Sequence, residues 1–161
     1  MNTRTSKIWL VLAMSFYCLL AVFGNITDWA ANFPAVTRAL EMKDIFPNST
    51  ISYRAITSPI LQQLAFIIIV CSEALTGLLC AFGAWQLFHA RKEPQLFNQN
   101  KKWAIAGLTL GFLTWNVLFM SIGGEWFGIW MSPVLNSAIG AAFQIFITML
   151  AVLIYVVHKD K

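Results

Sequence analysis

A chain of 161 residues that is 58% hydrophobic and only 11% charged, with a mean hydropathy of +0.67, carries more apolar side chain than a water-soluble core of that length can hide. Its formal charge of +4 does not point to nucleic acid, because the lysines and arginines sit beside apolar runs, where membrane orientation places them. Cys18, Cys71 and Cys80 all fall inside those runs, which leaves no pair for a loop disulfide or an exposed dithiol.

Four runs reach the roughly 20 residues that a helix needs to cross a hydrocarbon core: 8–25, 59–90, 103–122 and 133–158. The first, behind Arg4 and Lys7, imitates a secretory leader. Phe23-Gly24-Asn25 stands where small residues would mark a cleavage site, so the run reads as a retained anchor. The stretch 26–58 is too long for a turn. Asp28 or Asn32 can cap a helix that Pro34 begins, with Val36, Ala39 and Leu40 as its apolar stripe. Phe46-Pro47-Asn48-Ser49-Thr50 then ends it with turn chemistry. The connection 91–102 is short, polar and basic, whereas 123–130 combines glycines with aromatics suited to the water interface.

The expected fold is all-α, a four-helix transmembrane bundle with a short amphipathic helix in the first outer loop, forming a single integral membrane domain over 1–161. Four crossings put both termini on one side. Arg4, Lys7, Arg91, Lys92, Lys101, Lys102, Lys159 and Lys161 lie there, eight of the 11 basic residues, and the positive-inside rule makes that side cytoplasmic.

Glu73 stands near the middle of the second run, where an ionised side chain costs about 2.5–3.5 kcal/mol or more. No Lys, Arg or His lies in the middle of any run to neutralise it. Counted at about 1.5 Å per residue, Asn116 and Gln144 reach similar depths. Asn136, Gly140, Gln144 and Thr148 recur every four residues, and Glu73, Gly77, Cys80 and Ala84 follow one another at four, three and four, which likewise keeps them on one helical face. These stripes predict that Glu73, Asn116 and Gln144 converge inside the bundle, since each would otherwise leave polar atoms unsatisfied in hydrocarbon. Gly107 and Gly111 add a GxxxG element for close helix approach. The polar layer then either fixes helix register, with Glu73 bonded to an amide, or titrates and binds a cationic or hydroxylic ligand.

A second constellation gathers at the outer helix ends: Asn25, Asp28, Asn32, Arg54, Glu125 and Trp126. Asp28, Glu125 and Arg54 read as an ion-pair network stapling the loops, or as part of a ligand or partner site. His89 and His158 share the inner level, where two imidazoles could hold a haem. Helix C-termini favour cationic side chains, and Lys or Arg flank both histidines, so haem is not expected. No metal and no cofactor is predicted; a quinone or lipid is the organic molecule such a site could take.

At Asn25-Ile26-Thr27-Asp28, Asn32-Phe33, Arg54-Ala55-Ile56, Glu73-Ala74 and Gly123-Gly124-Glu125-Trp126-Phe127 the chain resembles the bacterial small integral membrane proteins grouped as domain of unknown function 2165. The likeness runs from the first run to the start of the fourth, and Gly-Gly-Glu-Trp-Phe is its most specific piece. The family often has Trp where this chain has Tyr53. The resemblance implies four helices in a bacterial inner membrane and supplies no activity.

No Cys/His nucleophile pair, metal-ligand cluster or phosphate-binding glycine loop is present, which makes an enzyme the weakest choice. The expected role is a non-enzymatic binding or accessory subunit acting through the outer, periplasmic face, beside the lipid bilayer and with a membrane-protein partner or second copy. The alternative is a small oligomeric proton-coupled transporter or channel that uses Glu73.

Overall fold

The computed structural model describes residues 2–161, which are mostly helical and contain no strand. Helices α1 (Thr3–Thr27), α2 (Trp29–Leu40), α3 (Pro59–Ala90), α4 (Pro94–Gln99), α5 (Lys102–Leu113) and α6 (Asn136–Val157) follow one another, with 3-10 turns at Ser52–Arg54 and Ile129–Met131. Helix α5 continues without a break into a π-helical stretch, Thr114–Trp126. Four helices are long and apolar enough to span a membrane: α1, α3, the stretch from α4 to Trp126, and α6. The fold is the all-α, four-span bundle that the hydropathy pattern predicts.

Helix α3 is central and packs on α1 along one side and on α5 along the other; α5 and its π-helical extension then pack on α6. Glu73, Gly77, Cys80 and Ala84 are all buried on the inner face of α3, as their three- and four-residue spacing predicts. Gly107 sits directly against Cys80 and Leu79 of α3, and Gly111 against Thr76 and Met149. Without side chains there, backbones approach closely and dispersion contacts accumulate where lipid offers no hydrophobic drive. The core between these faces is filled by Val11, Leu87, Leu108, Met149 and Val156. Cys18 and Cys80 are buried within it, while Cys71 is exposed on the outer surface of α3.

The predicted surface helix exists, but it starts earlier than its proline. Asp28 is its N-cap position and Pro34 lies inside it, because Ala31 and Asn32 already donate backbone hydrogen bonds to the Asp28 carbonyl. Trp29 and Phe33 dock α2 on α3 by packing around the buried Phe66, with ring centroids 4.6 and 5.8 Å from it. Beyond α2, Leu40, Met42 and Phe127 form a second small core with Ile45, Ile51 and Ile56. This cap closes the end of the bundle opposite the termini. Gly128 turns the chain there with φ +66°, a left-handed conformation that favours glycine.

The third span departs from expectation. Gly123, Gly124, Glu125 and Trp126, expected in a loop, belong to the π-helical stretch, where Phe127 N–H reaches back five residues to the Ile122 carbonyl at 3.0 Å. The wider winding of a π-helix also turns its side chains away from the faces counted at 3.6 residues per turn.

Candidate functional site

Glu73 is 4% exposed, held on the inner face of α3 halfway along a helix whose register is fixed by the close contacts of Gly77 with Leu19 and Cys18. Its carboxyl Oε2 accepts a hydrogen bond from Asn25 Nδ2 at 2.8 Å. Asn25 is presented inward because α1 runs on to Thr27, which places it within the helix rather than in the loop beyond. Among the described residues the other carboxyl oxygen of Glu73 accepts no hydrogen bond.

The pair lines a cavity of ≈ 390 Å³ in the half of the bundle nearer the cap. Its walls combine small residues, Gly24 and Ala35 among them, with the rings of Phe66, Trp115 and Phe119. Asn32 also borders it; its amide donates to the carbonyls of Asp28 at 2.9 Å and Gly24 at 3.4 Å, so it ties α2 to the end of α1. The volume lies within the range of small-molecule pockets, about 300–1,000 Å³, and a mainly apolar wall with a few convergent polar groups is their usual composition. Two residues assigned by sequence to the outer constellation, Asn25 and Asn32, thus join Glu73 in one site.

Asn116 and Gln144 do not. Asn136, Gly140, Gln144 and Thr148 all lie on the exposed side of α6, and its buried face is Ala142, Phe146, Met149, Val152 and Val156. Volume decides this: Met149 fills the space over Gly111 and Phe146 stacks edge-on against Phe112 at 5.5 Å, whereas the small polar stripe would leave voids. Asn116 is half-buried and makes no side-chain hydrogen bond to Glu73 among the described residues, nor does it line the same cavity; its backbone carbonyl accepts from Ser121 Oγ at 3.1 Å. The inward three-residue layer is therefore replaced by the Glu73–Asn25 pair. The aromatic wall was missed as well; its signal was the spacing of Trp115 and Phe119, one turn apart.

The outer ion-pair network does not form either. Among the described residues Asp28 and Glu125 make no salt bridge. Arg54 instead lies over the ring of Trp126, 4.5 Å from its centroid, and donates to the Trp126 carbonyl at 3.3 Å. Glu125, one residue earlier on a helix, projects in a different direction. The cap is tied by Arg38 with Asp44, by Ser132 Oγ donating to Asp44 at 3.0 Å, and by Lys43 with Glu41. The Arg38 guanidinium holds the Asp44 carboxyl below the usual carboxylate range. We predict that Arg54→Ala costs about 1 kcal/mol or less in detergent unfolding, the worth of an exposed cation-π contact. A loss of about 3 kcal/mol would reinstate an ionic staple.

At the opposite end, Lys7 and Lys101 converge on the C-terminal tail. Both donate to Asp160 Oδ2 at 2.7 Å and to the His158 carbonyl, at 2.6 and 2.5 Å. Asn98 completes the clasp by donating to the Asp160 carbonyl at 2.8 Å. Burial raises the Asp160 carboxyl, but the hydrogen bonds from Lys101 and Lys7 outweigh it and hold it below its ordinary range.

No curated protein and no solved structure matches the chain. One family model does, over residues 3–159: predicted small integral membrane protein, DUF2165. With four spans and that match over nearly its whole length, the chain belongs to the DUF2165 family of small integral membrane proteins.

Proposed function

We propose that this is a non-enzymatic binding protein, an accessory subunit of the bacterial inner membrane whose ligand or partner engages the periplasmic half of the bundle. The observation that carries this reading is the buried Glu73–Asn25 pair facing a mostly apolar cavity with one carboxyl oxygen unused. That oxygen is not sealed within the packing, so a donor entering the cavity can reach it. The orientation rests on charge: eight of the 11 basic residues flank the end that carries the termini, which makes that end cytoplasmic and the cap periplasmic. Around the cap, Phe46, Tyr53, Trp126 and Trp130 are exposed and offer an aromatic surface at the level where a membrane partner would dock.

The test is native mass spectrometry of protein taken from its own membranes in mild detergent. Wild type is expected to retain a bound molecule or partner at about one per chain. Glu73→Gln keeps the side-chain shape and is expected to lower that occupancy about tenfold, the effect of losing one charge-assisted hydrogen bond. Bare protein in the wild type, or equal occupancy in both, would remove the proposal.

A further inference from the structure

The bundle is not closed evenly. At the end bearing the termini, α1 and α6 are joined by a hydrogen bond between Ser6 Oγ and Tyr155 OH at 2.7 Å and by Lys7 reaching the His158 carbonyl and Asp160. Toward the cap, no side-chain hydrogen bond links them among the described residues, and the two helices part around the Glu73 cavity. Ala21, Gly24 and Asn25 form its α1 wall, and Ala138, Ala141 and Ile145 belong to its α6 wall. A smaller hollow of ≈ 170 Å³ continues along the same seam, bordered by Met14, Tyr17, Gln144, Ile145 and Thr148. Ile145 borders both spaces, so the two hollows adjoin at that side chain and mark a furrow along the seam.

The furrow faces sideways. Ala138 and Ala141 on its rim are exposed and belong to α6, a helix long and apolar enough to span a membrane, so that side of the opening lies where hydrocarbon would border it. Small rim residues leave a gap that a chain of methylenes can fill, which recovers the dispersion contacts that a void forfeits. The chemistry at the closed end is one-sided: a carboxyl with a free acceptor and two carboxamides, with no Lys, Arg or His in the lining. An anionic head would meet Glu73 without a countercharge. A head that donates a hydrogen bond would supply the missing partner.

Resting on the binding role above, we propose that the α1–α6 seam admits from the membrane a single-chain amphiphile whose head is an amine or alcohol. The head donates to Glu73, and the chain lies along the furrow past Ile145 toward Tyr17 and Gln144. The polar stripe of α6 then has a use on the outside of the bundle. Gln144 and Thr148 edge a groove that a bound chain covers.

The experiment uses the full chain in phosphatidylcholine nanodiscs and three diazirine-bearing probes of equal length: dodecylamine, dodecanol and dodecanoate. After illumination, labelled peptides are mapped by mass spectrometry. The amine, or the amine and the alcohol together, should label the segments around Gly24 and Ala141, with dodecanoate about tenfold weaker. Ala141→Trp plugs the rim from a lipid-exposed position, so the fold is retained and labelling should fall about tenfold. Glu73→Leu should erase the discrimination among the heads. Equal labelling by all three probes overturns the head-group assignment and leaves a general binding role standing. Absence of label at the seam in a wild type that still retains its native ligand overturns the lateral site alone. Absence of both removes the binding role too.

Discussion

Gly83→Ala is expected to destabilise the bundle by about 3 kcal/mol, the upper part of the range for overpacking a close-packed interior. A Cβ at this position would lie 2.4 Å from the backbone nitrogen of Ala104 and 2.7 Å from its Cα. Backbone cannot rotate aside as a flexible side chain can, so α3 and α5 must separate. That separation thins the packing of Leu87 and Leu108, both fully buried, along the rest of the seam. The measurement is detergent-driven unfolding followed by helical circular dichroism. Gly140→Ala is the control: nothing lies within 4 Å of a Cβ there, and alanine improves helix propensity, so a change of no more than about 0.5 kcal/mol is expected. Equal behaviour of the two variants would refute close α3–α5 contact.

Asp160→Ala is expected to cost about 2 kcal/mol and to free the C-terminal tail. Removing one partner from a buried ion pair leaves an uncompensated charge, worth about 3–5 kcal/mol deep in a protein. Here two ammonium groups, Lys7 at 2% and Lys101 at 4% exposed, would be left, but at a helix end each can swing its charged tip toward water, which lowers the cost. The pH dependence has a definite sign. Because the folded Asp160 carboxyl titrates below its ordinary value, the clasp contributes fully above the unfolded pKa of about 3.9 and is lost as pH falls through the folded value. A spin label at position 161, in a Cys71→Ser background, should be immobile at neutral pH in wild type. It should become mobile in Asp160→Ala at neutral pH and in wild type only under strong acid. Unchanged mobility in the variant would show that the tail is held by something else.

Lys7 and Lys101 meet at one end of the bundle, but their convergence on one aspartate is not legible in the sequence, because Lys7, Lys101 and Asp160 are separated by whole spans. Glu73 was conspicuous, since a lone acid in an apolar run has few harmless explanations. Its partner was not. Asn25 and Asn116 are both amides near the outer end of a span, and only the packing of α1, which continues to Thr27, against α3 decides which of them meets the acid. The ion-pair staple failed for a similar reason: charge counting finds Arg54, Asp28 and Glu125, but not the exposed indole of Trp126 that takes the guanidinium instead.

By itself the sequence determined the all-α bundle, its four crossings and the inward face of α3, because hydropathy over about 20 residues and a three- and four-residue spacing are properties of one helix at a time. Tertiary structure alone decided which face of α6 turns inward, where α1 and α6 part, and that Glu73 pairs with Asn25 beside a cavity. Those outcomes depend on how the volumes of Phe146, Met149 and the facing glycines interlock across helices. Such packing is a relation between surfaces far apart in the chain, and no periodicity within a single span encodes it.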